Sequence, residues 1–350
     1  MKKILLASTA LVASAGFAAA DVTVGGDGYF GVAFGQFDGD GIFNTTANPS
    51  TTDADGNFVQ AAEDRSDYAF VYDLDFDFTG SGETDSGLVF GASADADEVA
   101  TSQGALGFDS TIFVSGAFGT LSMGDTDGGA EAIIGDLSGV GITGLGDFNE
   151  NIFLLGAGAP PAGALALYEY NFAGASFALG LSDDEGFSLG AGYAGEFANG
   201  GWNVGIAYES VQEGAEVTLF DIDALGGTGT AGEVSTTSDD DVEHIIGTAG
   251  VNFAGFGLKA VYGQADAGSV DADQYGLSAD YGFDAVSLSA YYRRVETDGL
   301  ADDFETDFFG VGASYDLGGG LALGGGIASA QDDNFAGDLV VADFGLTFDF

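Results

Sequence analysis

From Asp67 to Phe78 the chain alternates between two kinds of side chain. Tyr68, Phe70, Tyr72, Leu74, Phe76 and Phe78 occupy the even positions, and Asp67, Asp73, Asp75 and Asp77 fall among the odd ones. Successive side chains of a strand point to opposite faces, so the segment makes one aromatic face and one carboxylate face; a helix would mix the two around its circumference. The same period of two returns along the chain, for example at Trp202, Val204, Ile206 and Tyr208, at Tyr275, Leu277, Ala279 and Tyr281, and at Val340, Ala342, Phe344, Leu346, Phe348 and Phe350. Sixteen such segments can be followed, the faintest at Leu121–Met123 and Leu321–Ile327. The opposite phase carries Asp, Glu, Ser, Thr, Asn, Gln and much Gly. Alternating strands separated by turns, with aromatics gathered near their ends (Tyr193, Tyr208, Tyr262, Tyr281, Tyr292, Tyr315), predict an antiparallel up-and-down β-barrel with an apolar exterior.

The connections alternate in length. Short joints are expected at Thr79 to Thr84, Ala117 to Thr120, Phe172 to Ala175, Ala194 to Gly200, Asn252 to Gly255, Tyr281 to Asp284 and Leu317 to Gly320. Long ones run from Asp38 to Asp64, Asp125 to Gly163, Val211 to Asp241 and Thr297 to Thr306; Ser182 to Gly186 is short where a long one is due. Short turns at one rim and long loops at the other are a feature of transmembrane barrels. The connection after the fifth strand combines carboxylates (Asp125, Asp127, Glu131, Asp136, Asp147, Glu150) with Ile133, Ile134, Leu137, Val140, Ile142 and Leu145. A solvent-exposed loop has no reason to be that apolar, whereas a loop folded against the inner wall does.

Charge changes the picture further. The chain holds 56 acidic and 6 basic residues among 350, a formal net charge of −50, with no Cys and one His. Six cations cannot build a nucleic-acid surface, and without thiols there is neither a disulfide scaffold nor a Cys-ligated metal site. Residues 1–20 read as a cleavable secretory leader: Lys2 and Lys3 are followed by an apolar stretch from Ile4 to Phe17 and the small residues Ala18-Ala19-Ala20. Residues 21–350 are then one barrel domain. No later stretch reaches about 18 uninterrupted apolar residues, so no transmembrane helix is expected. A closed barrel pairs every backbone group and so crosses lipid without one. A soluble secreted Ca²⁺-binding β protein and a closed, adhesive or structural outer-membrane barrel are the competing readings; the Gly-rich lumen phase favours an open interior.

The chain resembles the general porins, most of all their alphaproteobacterial branch. The resemblance rests on the leader, the start Asp21-Val-Thr-Val, the turn and strand Phe118-Gly-Thr-Leu-Ser-Met-Gly-Asp125 leading into the long third loop, and the terminal Phe348-Asp-Phe350. It implies a sixteen-stranded homotrimeric channel in the outer membrane of a Gram-negative bacterium, embedded in lipid and lipopolysaccharide, with the third loop tucked inside as a constriction. It also implies a general diffusion function for ions and small hydrophilic solutes.

Catalysis has little to work with. His244, beside Glu243, is expected at an exposed rim, and no nucleophile elbow or paired histidines occur. The pore-constriction candidates are the six loop carboxylates named above. The pore-wall candidates are Arg65, Asp73, Asp75, Asp77, Lys259 and Arg293 by phase, while Arg294 points outward. General porins set a basic cluster across from an acidic third loop; here the wall is thin in cations, and cation preference is expected. No cofactor is required. Asp239, Asp240, Asp241 and Glu243 form a dense acidic run, a candidate for weak Ca²⁺ or Mg²⁺ binding through hard oxygen ligands.

Overall fold

A computed structural model describes residues 21–37, 40–44, 51–52, 58–59, 65–96, 109–156, 165–182, 186–212, 216–220, 234–237, 241–268, 270–299, 304–332 and 338–350. The leader expected over residues 1–20 lies outside them. Sixteen long antiparallel strands form a closed sheet. In chain order they are β1 (Asp21–Phe37), β2 (Tyr68–Glu83), β3 (Val89–Ala96), β4 (Asp109–Gly116), β5 (Gly119–Gly124), β6 (Leu165–Phe172), β7 (Ala175–Ser182) and β8 (Phe187–Phe197). There follow β9 (Gly200–Val211), β10 (Val242–Phe253), β11 (Phe256–Asp266), β12 (Asp271–Phe283), β13 (Val286–Asp298), β14 (Phe304–Gly318), β15 (Leu321–Asp332) and β16 (Leu339–Asp349).

Each strand pairs with its sequence neighbour. Closure comes from β1, which pairs with β2 from Asp21↔Ser81 to Phe34↔Tyr68 and with β16 from Asp27↔Asp349 to Phe37↔Leu339. The two-residue strand Asp40–Gly41 extends β1, and small hairpins (Phe43–Asn44 with Arg65–Ser66, Thr51–Thr52 with Phe58–Val59, Glu216–Phe220 with Val234–Thr237) decorate the long-loop end.

The sixteen alternating segments correspond to these sixteen strands, including the two faint ones. The joint expected at Thr79 to Thr84 falls later: β2 continues through Thr79-Gly-Ser-Gly-Glu83, and the turn spans residues 84–88. That stretch lacks apolar alternation, but its backbone is paired to β3 throughout and to β1 as far as Ser81. At the same rim, Ala173-Gly174 and Ala254-Gly255 both have positive φ (50° and 85°, 50° and 88°), the geometry of two-residue hairpins whose twist matches that of their strands.

Phe30, Phe70, Leu277, Val311 and Phe344 are among many large apolar side chains exposed on the outer wall. A soluble protein does not display a continuous apolar belt of this kind, while a barrel bathed in hydrocarbon requires it. The buried apolar cluster lies inside the barrel, where Ile134, Leu137, Val140, Leu145, Phe148, Ile152, Leu154 and Leu155 of the long third loop pack on inward-facing wall residues such as Val261, Tyr291, Phe308 and Val341.

Candidate constriction site

The third loop leaves β5 at Gly124, where the Asp125 N–H donates to the Ser110 carbonyl at 3.0 Å. It then folds into the barrel and stays there through residue 156. Its apolar residues sit over glycines of the lumen phase. A Cβ on Gly190 would come within 2.6 Å of Ile133, one on Gly276 within 2.9 Å of Leu137, and one on Gly345 within 2.6 Å of Ile142. These glycines therefore do not hold the interior open, as the sequence reading had it; they are the floor on which the loop packs. The single-turn helix α1 (Glu131–Ile134) was not legible in the sequence, being too short to show a period.

Polar ties fix the loop along its length. Lys259 Nζ donates to the Ile134 and Asp136 carbonyls at 2.6 and 2.7 Å, satisfying acceptors at the open end of α1. Asp343 Oδ2 accepts from Ile142 N (2.7 Å), Thr143 N (2.8 Å) and Thr143 Oγ1 (2.9 Å), and its Oδ1 accepts from Gly326 N at 3.0 Å. Asp280 accepts from Ser138 at 2.5 Å, and Ser289 donates to the Gly139 carbonyl at 2.9 Å. The two limbs of the loop are tied to one another by Asn151 N–H to Asp136 Oδ1 (2.7 Å) and Asn151 Nδ2 to the Gly135 carbonyl (2.9 Å).

The wall cations are accordingly not free in the lumen. Lys259 and Arg293 face inward, as their phase predicts; the loop covers Arg293 and ties down the Lys259 ammonium, whose side chain stays half-buried. Arg293 is 4% exposed, with its guanidinium carbon 5.1 Å from the centre of the Phe308 ring, and that ring packs on Phe148 of the loop. The sequence places both residues on the pore wall; the covering loop removes Arg293 from it, while Lys259 stays there half-buried and bonded to the loop. Arg294 points outward and is held in a bidentate pair with Asp307 (2.7 Å for each contact) and by Glu305 at 2.8 Å. Arg65 belongs to the short strand Arg65–Ser66, outside the barrel sheet, and its side chain is outside the described residues.

Recorded contacts of residues 128–156 fall on β7 to β16 and on β1. Leu165 of β6 joins the buried cluster of the loop, so the wall left facing the loop is the lower part of β2, β3 to β5 and the Glu169 end of β6, and these strands contain no Lys or Arg. Asp73, Asp75, Asp77, Asp95 and Glu169 occupy its lumen phase. Asp75 is paired in register with Asp27, Asp27 with Asp349, and Asp77 with Asp95, so the carboxylates stand in cross-strand rows.

Enclosure acts on the loop acids. Burial and then the neighbouring charges of Asp127, Asp136, Glu150 and Glu209 push the Glu131 carboxyl up to about 8. Burial, with Asp147 and Asp136, pushes Glu150 up to about 7 despite the opposing pull of Arg293. Asp136 and Asp147 are raised by burial as well. Asp125, Asp127, Asp147 and Glu150 all keep exposed surface, so the last two are hemmed in by protein on several sides without being sealed from water.

His244 departs from the rim placement expected of it: it is 1% exposed and lies between Glu209 and Gln274, because its inward phase carries it under the loop. Glu209, Gln274, Asp280, Ser188 and Asp343 are functional anchors that sequence reasoning did not single out as such; only their lumen phase marked them. Among the described residues no cluster of three or more His, Cys, Asp or Glu could hold a metal. Asp239 and Asp240 lie outside the described residues, Asp241 begins the approach to β10, and Glu243 accepts from the Tyr208 hydroxyl at 2.6 Å.

Comparison with known proteins gives a consistent result. The family model described as Gram-negative porin matches residues 7–334. A porin of Rhodobacter capsulatus is 34% identical over 288 residues, covering 78% of this chain and 91% of the relative. A porin structure refined at 1.8 Å resolution superposes with a TM-score of 0.67 at 29% identity, over 94% of this chain and 100% of the other. A triple mutant of Rhodopseudomonas blastica porin shares the fold with a TM-score of 0.59 at 19% identity, again over 94% and 100%.

Proposed function

The chain belongs to the Gram-negative porin family of outer-membrane general diffusion channels, and from that premise we propose that it is a cation-preferring channel for ions and small hydrophilic solutes. One observation carries the preference. The loop covers Arg293 and binds the half-buried Lys259 ammonium through two carbonyls, Arg294 faces outward, and the wall opposite the loop holds Asp73, Asp75, Asp77, Asp95 and Glu169 without a Lys or Arg. A passage with carboxylates on both sides concentrates cations and repels anions. The field across it differs from one set up by opposed acidic and basic walls, because both sides carry the same sign.

Asp125, Asp127, Glu131, Asp136, Asp147 and Glu150 form the loop side of this passage, and Asp73, Asp75 and Asp77 the wall side. The homotrimer implied by the resemblance, and weak Ca²⁺ or Mg²⁺ binding around Asp239, Asp240, Asp241 and Glu243, belong to the same proposal. Liposome swelling tests it, using a cationic and an anionic amino acid of equal size. Faster entry of the cation is expected; equal or reversed rates would defeat the proposed preference while leaving the channel. Cross-linking of the detergent-solubilised protein tests the trimer.

A further inference from the structure

His244 is the only histidine of the chain. It is 1% exposed, with Glu209 at 0% and Gln274 at 2% beside it. Glu209 on β9 is its cross-strand partner, and Gln274 on β12 reaches it over the intervening β11. Gly263 makes that reach possible, because a Cβ there would stand 2.9 Å from both His244 Nε2 and Gln274 Nε2.

Gln274 and Glu209 bond the return limb of the third loop directly, and His244 bridges the two. Gln274 Oε1 accepts from Ile152 N at 2.9 Å, and Gln274 Nε2 donates to the Ile152 carbonyl at 3.1 Å. Glu209 accepts from Leu154 N at 3.0 Å and from Leu155 N at 3.3 Å. The hydrogen positions follow from these partners. Ile152 N–H can only donate and its carbonyl can only accept, so the Gln274 amide has one orientation. Its second N–H then points at His244 Nε2, 3.1 Å away, which must accept. The ring proton therefore sits on Nδ1 and is donated to Glu209 Oε2 at 2.8 Å. Glu209 thus accepts from three donors.

We propose that Glu209, His244 and Gln274 are positioning residues of the constriction, a latch that holds Ile152–Leu155 in the lumen only while His244 is neutral with its proton on Nδ1. A second proton, on Nε2, would face an N–H of Gln274. The amide would have to turn its oxygen to the ring, and both bonds to Ile152 would be lost. The charged groups that face this cluster are Glu209 on β9 and Glu131 from the loop, whose electrostatic neighbours include Glu209. Lys259 on β11 and Arg293 on β13 stand further along the same wall, while Val242, Ile246 and Ala265 supply the apolar remainder.

With one histidine, imidazole ¹⁵N NMR of the labelled, detergent-folded protein yields one ring to read. The latch predicts a protonated Nδ1 and a bare Nε2 at about pH 8. On acidification to the imidazolium, the amide-exchange protection factor of Ile152 should fall by about thirtyfold, the equivalent of two neutral hydrogen bonds. His244→Gln offers one donor and one acceptor but cannot titrate, so it should keep that protection and lose its acid dependence. Gln274→Met should lose the protection even at about pH 8. A proton on Nε2 in the neutral ring would overturn the proposal. So would an imidazolium that leaves Ile152 protected, or an unchanged acid response in His244→Gln. None of these readouts depends on the ion preference proposed above.

Discussion

Replacing Asp343 with Ala should release the middle of the third loop while leaving the barrel intact. The carboxylate makes three bonds to the loop, at 2.7, 2.8 and 2.9 Å, and is 5% exposed. A hydrogen bond to an ionised acceptor contributes about 1.5–3 kcal/mol net, and removing the acceptor leaves the N–H groups of Ile142 and Thr143 unpaired. Even at the lower end, and with lumen water recovering part of the loss, the held position of residues 140–147 is weakened by about 4 kcal/mol. That is about a thousandfold in the population of released loop. The barrel loses only the bond from Gly326 N, because β15 and β16 remain paired from Leu321↔Phe348 to Ala330↔Leu339. Chymotryptic cleavage at Leu145 and Phe148, followed on the folded protein, reads the release, and open-channel current noise reads its consequence. Asp343→Asn, keeping one acceptor oxygen, should fall between the two. If Asp343→Ala were cleaved no faster than the wild type and its current were as quiet, the claim that this carboxylate holds the loop would be wrong.

Gly276→Leu places a Cβ 2.9 Å from Leu137 and should lift the loop from its floor; overpacking of this kind costs about 1–3 kcal/mol, read as changed single-channel conductance with an unchanged heat-modifiable barrel. Because enclosure raises Glu131 to about 8 and Glu150 to about 7, their charges are present above those values and lost as the pH falls through them. Cation preference should therefore rise with pH across the neutral range, and Glu131→Gln with Glu150→Gln should flatten the rise at its low-pH level. Calorimetric titration with Ca²⁺ should give weak heat that disappears in Asp239→Asn with Asp241→Asn; absence of heat in the wild type would remove the divalent site.

The barrel was legible because its two environments differ so sharply. One face of each strand meets hydrocarbon, so Phe70, Leu277 and Phe344 recur on a single phase, and a one-residue slip would bury Asp73 or Asp343 in lipid. The loop's inward fold was legible from Ile133, Leu137 and Ile142, whose apolarity a water-filled rim would not tolerate. What holds the loop was not. Lys259 and Arg293 have the lumen phase whether they face open water or lie under a loop, and only the tertiary path separates the two. His244 has the same phase, yet its neighbour Glu243 on the opposite face suggested a rim. The role of Gly190, Gly276 and Gly345 was misread for a related reason: a missing side chain is compatible equally with open space and with close approach. Glu209 and Gln274 lie on strands 65 positions apart in sequence yet converge on one ring, a juxtaposition no local spacing encodes.

The reversal potential of a planar bilayer holding the purified protein under a KCl gradient tests the central claim most directly. With Arg293 covered, Lys259 bonded to loop carbonyls and Asp73, Asp75 and Asp77 facing an acidic loop, the potential should carry the sign of K⁺ flux and shift toward zero when the three aspartates are replaced together by Asn. A potential with the sign of Cl⁻ flux would show that a basic residue governs the passage and would contradict the arrangement of charge described for it.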